Sequence, residues 1–246
     1  MFLPHTYVLS VKVCTLSKSG IKKELADMLR HEKGFSVFTP NPQMLLAADK
    51  DRRLCELLNS SSLNIPDGVG VRIAARLKNN IRVAKTSGID LAEELLPLAE
   101  RIGTRVFLLG GKPGVATEAK KNILKRFPNL NICGTQHGYF KEDRAEAINK
   151  KIRDSRAELL LVCMGFPRQE EWIAQNISSL TDVRMAIGLG GTLDVWAKRT
   201  RRAPKAVQDM GLEWFWRTIL DPSRAKIFID IPRFLLLLAK EKKQVY

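Results

Sequence analysis

The feature that most constrains the fold of this chain is a regular alternation of short apolar runs with amphipathic segments of helical period, which continues to about residue 197. Several runs are apolar on consecutive residues, a pattern typical of strands covered by helices on both faces of a sheet. The predicted strands are 7–13, 35–39, 62–65, 105–109, 131–134, 159–164 and 184–188, and the predicted helices are 19–32, 42–59, 69–77, 90–102, 114–127, 144–155 and 168–178. The alternation predicts an α/β, Rossmann-like fold with a largely parallel sheet and right-handed crossovers.

The alternation ends near Ala197, and the remainder of the chain reads as helical. We therefore predict an α/β domain over residues 1–197 and a C-terminal helical appendage over residues 198–246. The appendage has twelve Lys or Arg against five Asp or Glu, so it contributes about +7 to the formal net charge of +15. A charge surplus confined to one segment indicates an anionic partner for that segment. Anionic lipid, a polyphosphate substrate and nucleic acid are the three candidates.

Two apolar stripes at a spacing of three to four residues indicate that the appendage is amphipathic. The stripes consist of Leu212, Phe215, Trp216 and Ile219, followed by Ile227, Ile231, Phe234, Leu235 and Leu238. Such helices, edged with cations, suit a membrane surface. The apolar run over 227–239 is shorter than the roughly 20 residues needed to span a bilayer. We therefore expect the chain to lie on a membrane without crossing it.

The placement of cysteine and histidine argues against disulfides and metal ions. Four single cysteines in apolar surroundings, Cys14, Cys55, Cys133 and Cys163, are typical of reduced thiols in a cytosolic protein. The three histidines lack metal-ligand spacing, so we expect no metal site and no cofactor. The first residues lack a basic start followed by a long apolar run, so we expect no signal peptide.

Glycines and polar residues stand just after most of the predicted strands. In an open parallel sheet, ligands bind beyond the carboxyl ends of the strands. The residues at these ends are Thr39, Asn41, Asp67, Gly110, Gly111, Gln169, Gly190, Gly191 and Asp194. We expect them to converge on one edge, where glycine turns let a ligand approach the backbone closely.

Several of these groups have two interpretations each. Asp67 is either a helix cap or a general base with a pKa raised by partial burial, and Asp194 is either a cap, an ion-pair partner of Lys198 or a site residue. The turn over 110–114 is either a plain tight turn or an anion site at a helix N-terminus. The basic run over 198–205 is either a solvated loop or a phosphate site.

Taken together, these groups resemble the WecG/TagA/CpsF family of bacterial glycosyltransferases over nearly the whole chain. Each motif is weak alone, but their order and spacing are specific. The segments that carry the resemblance are 39–41 (TPN), 66–70 (PDGVG), 108–115 (LLGGKPGV), 138–140 (GYF), 165–170 (GFPRQE), 188–191 (GLGG) with Asp194, 202–204 (RAP), 211–214 (GLEW) and 222–224 (PSR). The chain is most similar to the TagA-type members, the N-acetylmannosaminyltransferases of wall teichoic acid synthesis.

The resemblance implies an inverting transfer of N-acetylmannosamine from its UDP-linked form. The implied acceptor is N-acetylglucosamine on undecaprenyl diphosphate, and the β-linked product serves the synthesis of teichoic acid or another surface polymer. Since the acceptor carries a lipid, we expect a cytoplasmic protein bound peripherally to the inner face of the cell membrane. We expect no metal requirement, because cationic side chains would stabilise the leaving UDP.

The resemblance also implies roles for individual residues. Asp67 would be the general base that deprotonates the acceptor hydroxyl. Thr39, Asn41 and Gln169 would hold the sugar. The appendage arginines Arg202, Arg217 and Arg224 would fold over the site and neutralise the diphosphate.

The chain departs from the family pattern at two cations. Lys85 stands where the family tends to have Arg, so the bidentate geometry of Arg is absent there. Ile227 stands where a further Arg commonly follows Arg224, with Lys226 beside it.

Alternatives to this interpretation stay open at the level of sequence. Within the family, the donor could be UDP-N-acetylmannosaminuronic acid or a UDP-hexose. A basic nucleic-acid-binding protein is a less favoured alternative, because the aromatic residues of the appendage are not interleaved with its cations. We expect no nucleic-acid partner, and self-association as a dimer.

Overall fold

The computed structural model describes residues 3–31, 34–84, 86–221, 225 and 227–240. It confirms the predicted α/β class with a Rossmann-like parallel sheet. The strands are β1 (His5–Val8), β2 (Val11–Cys14), β3 (Phe35–Phe38), β4 (Leu63–Asn64), β5 (Val106–Gly110), β6 (Ile132–Gln136), β7 (Leu159–Cys163) and β8 (Met185–Gly188). Strands β1 and β2 form an antiparallel hairpin, and the other six form a sheet in the order β4-β3-β8-β7-β5-β6. Every neighbouring pair in that sheet is parallel.

Twelve α-helices connect and follow these strands in the part of the chain that the structure describes. They are α1 (Lys18–His31), α2 (Pro42–Lys50), α3 (Arg52–Asn59), α4 (Val69–Asn79), α5 (Gly88–Ile102), α6 (Val115–Leu124), α7 (Ala145–Asp154), α8 (Arg168–Asn176), α9 (Thr192–Trp196), α10 (Lys205–Asp209), α11 (Glu213–Leu220) and α12 (Ile227–Lys240). None of the helices in the described ranges is long and apolar enough to cross a membrane.

Helices cover both faces of the sheet, which explains the unbroken apolar strands. Helices α1, α5, α6 and α9 pack on one face, and α2, α3, α4, α7, α8 and α12 contribute to the core on the other. Within β5, Leu108 faces the first core and Phe107 faces the second, and both are fully buried. Alternate residues of a strand point to opposite faces, so both sets must be apolar here.

Two predicted elements are wrong in their boundaries. The strand expected over 7–13 is the β1–β2 hairpin, because Leu9 and Ser10 form a two-residue turn with φ of 47° and 64°. The single helix expected over 42–59 is divided at Asp51, which has extended backbone geometry and whose carboxylate accepts a hydrogen bond from the backbone N–H of Arg53. Asp favours an N-cap over a helix interior because its short side chain bonds the nearby backbone.

The crossovers create crevices at the carboxyl end of β8. The helix after β8 is α9, which packs on the first face, whereas the helices after its neighbours β3 and β7 are α2 and α8, which pack on the second. The chain therefore leaves adjacent strands in opposite directions. Such a point is where ligands enter open α/β sheets.

The last helix is docked on the second core. Phe234 and Leu238 of α12 are buried in that core, and α12 contacts α2 and α4. The amide Nε2 of Gln43 on α2 donates to Asp230 Oδ2 at 3.1 Å. The second predicted apolar stripe is therefore divided between the core and the surface, because Phe234 and Leu238 are buried and Leu235 is exposed. The domain boundary at residue 197 stays a prediction.

This packing predicts that α12 supports the stability of the whole fold. Replacing the fully buried ring in Phe234→Ala leaves a cavity and should lower the free energy of unfolding by about 3–5 kcal/mol. The matched control is Leu236→Ala on the same helix, which is 63% exposed and should change stability by less than about 0.5 kcal/mol. Urea unfolding of both variants measures the difference. Equal, small effects would mean that α12 does not belong to the core.

Candidate functional site

The carboxyl end of β8 is held by a side chain from β3. The hydroxyl Oγ1 of Thr39, which follows β3, donates to the backbone oxygen of Gly188 at 2.9 Å. Gly88, at the start of α5, lies against the same hydroxyl and against Leu189. Thr39 is buried, so its donor is committed and only its lone pairs remain for a ligand.

Gln169 holds the same strand end from the other side. Its amide oxygen accepts backbone hydrogen bonds from Gly190 at 2.9 Å and from Gly165 at 3.3 Å, which joins the loop after β7 to the turn after β8. Its amide nitrogen donates to Glu170 Oε1 at 2.8 Å. One amide hydrogen of Gln169 is left without a partner among the described residues. Gln169 therefore crosslinks two glycine turns and retains a single donor.

Glu170 is a fully buried carboxyl group behind Gln169. Burial raises its pKa to about 7, and the hydrogen bond from Gln169 opposes this rise. The second oxygen, Oε2, is buried and has no hydrogen-bond partner within the described part of the chain. Sequence reasoning placed Gln169 in the site and missed Glu170. The helical spacing of the sequence does indicate burial of Glu170. Gln169 and Glu170 lie one turn before the buried apolar residues Trp172 and Ile173, and therefore on the same face of the helix.

Asp67 lies beside the end of β3, on a backbone extension of the sheet. Its N–H donates to the oxygen of Pro40 at 2.9 Å, and it pairs in parallel with Thr86. The N-cap residue of α4 is Gly68, which directly follows Asp67, and both interpretations of Asp67, as a helix cap and as a general base, stay predictions. The side chain is half-buried at the carboxyl edge of the sheet. The backbone of Asp67 is fixed at a position where a carboxylate can reach a ligand at the sheet edge.

Asn41 has a structural task that limits what else it does. Its side-chain oxygen caps α2 by accepting from the backbone N–H groups of Gln43 and Met44 at 3.0 and 3.1 Å. The amide nitrogen has no partner among the residues described. Asn41 can therefore offer a ligand the two hydrogens of its amide nitrogen, whereas its oxygen is already engaged in capping α2.

Close packing explains why glycines occupy positions 110 and 111. A Cβ on Gly110 would lie 2.1 Å from the backbone oxygen of Cys163, and one on Gly111 would lie 2.7 Å from a methyl group of Val115. The N–H of Gly111 donates to that same oxygen of Cys163 at 2.9 Å. These contacts support the plain tight turn, and a role for the two glycines in anion binding stays a prediction.

Arg202 binds the N-terminal turn of α5. Its Nη2 donates to Asp90 Oδ1 at 2.5 Å, and its Nε lies 3.9 Å from Glu213 Oε1. The hydroxyl of Ser87 caps α5 and donates to Asp90 Oδ2 at 2.7 Å. Burial raises the pKa of Asp90, but the hydrogen bonds from Arg202 and Ser87 outweigh it and hold the pKa below its usual range. Arg202 thus joins the appendage to the α/β domain through Asp90, an acid that the sequence analysis did not place in the site.

The remaining predicted site residues are distributed as follows. Gly191 is the N-cap residue of α9, without a side-chain cap bond, and Asp194 lies in the first turn of that helix. The ion pair expected between Asp194 and Lys198 is wrong, since no salt bridge joins these two described residues. Lys85, Arg224 and the side chain of Arg217 lie outside the described residues. Across the described ranges, no group of three or more His, Cys, Asp or Glu could hold a metal ion.

The loops that carry these residues meet at one edge. Asp67 joins the end of β3, Thr39 and Gln169 meet at the end of β8, and a Cβ on Gly211 before α11 would lie 3.0 Å from Val69. The appendage therefore reaches the start of α4, two residues from Asp67. The arrangement combines a carboxylate, amide and hydroxyl groups and a covering segment around an open sheet edge.

Comparison with known proteins agrees with this geometry. The profile of the Glycosyl transferase WecG/TagA/CpsF family matches residues 6–246, a range that contains every predicted site residue. The chain is also similar to a protein of Bacillus subtilis (strain 168) named N-acetylglucosaminyldiphosphoundecaprenol N-acetyl-beta-D-mannosaminyltransferase. The two are 37% identical over 210 residues, which is 85% of this chain and 81% of the relative.

Proposed function

Because this chain belongs to the WecG/TagA/CpsF family of glycosyltransferases, we propose that it transfers N-acetylmannosamine from UDP-N-acetylmannosamine to a lipid-linked acceptor. The acceptor is N-acetylglucosamine on undecaprenyl diphosphate, and the product is β-linked and serves teichoic acid or another surface polymer. The observation that carries this proposal is the 37% identity, over 85% of the chain, to a relative named for that transfer. A donor such as UDP-N-acetylmannosaminuronic acid or a UDP-hexose is the alternative within the same family.

Asp67 is the general base in this proposal. Its carboxylate takes the proton of the acceptor hydroxyl while that oxygen forms a bond to the anomeric carbon of the donor sugar. The bond from the anomeric carbon to the diphosphate breaks, and UDP leaves with its electron pair. Attack from the face opposite the leaving group inverts the anomeric centre. The half-buried position of Asp67 at the sheet edge, fixed by Pro40 and Thr86, supports this role.

The sugar-binding roles follow from the hydrogen-bonding groups that the fold leaves unused. The lone pairs of Thr39 accept from a sugar hydroxyl, because its own hydrogen is donated to Gly188. The amide nitrogen of Asn41 and the remaining hydrogen of Gln169 donate to sugar oxygens. This set combines one acceptor with several donors, which is suited to the hydroxyl and N-acetyl groups of the donor sugar.

Cations of the appendage stabilise the leaving UDP in this account. Arg202 is ion-paired with Asp90, so its charge is largely neutralised in this structure. We therefore expect the negative charge of the diphosphate to be stabilised mainly by Arg217 and Arg224, together with Lys85 of the α/β domain. A guanidinium group can form two hydrogen bonds to diphosphate oxygens. These bonds become stronger as negative charge develops on the leaving group.

The base role predicts a separation of activity from stability at Asp67. Asp67→Asn should lower turnover roughly 10²–10⁴-fold, the usual contribution of a general base, with little change in melting temperature. Transfer of labelled N-acetylmannosamine and thermal unfolding are measured on the same sample. The matched control is Asp154→Asn at the far end of α7, an exposed ion-paired acid that should leave turnover unchanged. Near-normal turnover in Asp67→Asn would remove Asp67 from the mechanism.

The apolar face of the appendage is proposed to rest on the inner face of the cell membrane. Large side chains on α11 and α12 are exposed: Ile219, Phe228, Ile229, Leu235 and Leu236. Arg233 is exposed on the same helix as four of them. Apolar side chains with a neighbouring cation suit an anionic leaflet, and the acceptor lipid lies there. Dimer formation stays a prediction.

Membrane docking predicts that charge on this face abolishes binding to vesicles. Ile229→Glu with Leu236→Glu should weaken sedimentation with anionic vesicles by roughly 10²-fold or more, because two apolar side chains lose their burial. Turnover on a water-soluble acceptor should be retained. The control is Lys121→Gln on α6 with Lys125→Gln at its C-cap, which lowers the net charge by the same two units on the opposite face of the sheet. Wild-type sedimentation of the Glu variant would contradict membrane docking by this face.

A further inference from the structure

We propose that Glu170 is a positioning residue, which orients the amide of Gln169 and thereby fixes the turn after β8 in the geometry that sugar transfer needs. The inference deepens the proposed function and rests on it for its kinetic readout. Glu170 itself is fully buried, so it acts through Gln169 and does not contact the substrate.

The orientation of the Gln169 amide determines whether two turns are joined. Its oxygen faces two backbone N–H donors, on Gly165 and Gly190. An amide rotated by half a turn would present its NH2 group to those donors, and both hydrogen bonds would be lost. The two donors thus select one rotamer from the oxygen end of the amide, and a group that accepts from the nitrogen end would add a second selection.

Glu170 supplies that selection. Its Oε1 accepts from the amide nitrogen of Gln169 at 2.8 Å, and a carboxyl oxygen there would repel the amide oxygen of the rotated form. The pair also lies tightly against β8, since a Cβ on Gly188 would be 2.9 Å from Gln169 Nε2 and 3.2 Å from Glu170 Oε1. Room for the two side chains therefore depends on glycine at position 188.

Retention of a buried acid at this position also indicates a role beyond packing. Oε2 of Glu170 has no partner among the described residues, so the carboxyl costs stability that an apolar side chain would not. An apolar residue of similar size would fill the space, but it would leave the nitrogen end of the Gln169 amide without its acceptor. The acid therefore gives orientation at the expense of stability.

The turn that this pair controls is part of the candidate site. Gly190 is followed by Gly191 and α9, and the neighbouring oxygen of Gly188 is bonded by Thr39. Rotation of Gln169 would release the N–H of Gly190 and redirect the remaining amide hydrogen, which is proposed to bind the donor sugar. A change at position 170 would thus reach the substrate through one intermediate side chain.

The kinetic test is a double-mutant cycle with a conservative variant. Glu170→Gln keeps an oxygen acceptor and should retain turnover within about threefold. Glu170→Met removes the acceptor at similar volume and should lower kcat/KM about ten- to hundredfold, as expected for loss of a buried hydrogen bond. In a Gln169→Met background, Glu170→Met should cause no further loss, because its only route to the substrate is gone. Wild-type activity in Glu170→Met, or additive losses in the double variant, would overturn the proposal.

A second readout needs no substrate. Hydrogen–deuterium exchange of the Gly190 N–H should accelerate at least tenfold in Glu170→Met, whereas the adjacent Leu189 N–H, which donates to Val162 at 2.8 Å, should keep its wild-type rate. Equal acceleration of both amides, or of neither, would contradict a selective effect on the turn. If Glu170→Met does not fold, Glu170→Gln must still keep both exchange rates and turnover, and a tenfold change in either overturns the inference. If the exchange rates change as expected but the wild-type enzyme does not transfer N-acetylmannosamine, the result contradicts the proposed donor and leaves the role of Glu170 supported.

Discussion

The carboxyl end of β8 is fixed by hydrogen bonds to side chains that follow its two neighbouring strands, and the rest of the candidate site is arranged around it. Thr39 holds the oxygen of Gly188 from the β3 side, and Gln169 holds the N–H of Gly190 from the β7 side. These bonds lie where α9 leaves for one face of the sheet while α2 and α8 leave for the other. The crevice thus has a hydrogen-bonded floor, which would suit the positioning of a sugar in the proposed reaction.

Asp67 and the appendage are attached to the same framework, because Asp67 is bonded to Pro40 after β3, the strand next to β8. Arg202 ties the start of the appendage to Asp90, Gly211 packs against Val69, and Phe234 anchors α12 in the second core. The segment that carries the exposed apolar face is therefore connected to the segment that carries Asp67, the proposed general base. In the proposed reaction, a lipid-linked acceptor held at the membrane would be delivered to the edge of the sheet that contains Asp67.

Hydrophobic periodicity predicted the class of the fold and the six strands of the sheet, because burial on both faces forces continuous apolar runs. It did not predict the turn at Leu9 and Ser10, where non-glycine residues adopt positive φ, or the break at Asp51. Among site residues, it identified Gln169 from its position after a strand. It missed Glu170 and Asp90, whose roles depend on partners distant in sequence or on burial that a local pattern does not show. The same limit applies to Phe234, since a stripe on a surface helix and a stripe in a core look alike in sequence.

The proposed transfer can be measured as product formation from a panel of UDP-sugars offered with an N-acetylglucosaminyl diphospholipid. We expect UDP-N-acetylmannosamine to yield a β-linked disaccharide lipid and stoichiometric UDP. We also expect UDP-N-acetylmannosaminuronic acid and UDP-hexoses to react far more slowly. Efficient transfer of one of those other sugars, an α-linked product, or absence of transfer from every UDP-sugar in the panel would contradict the proposed transfer.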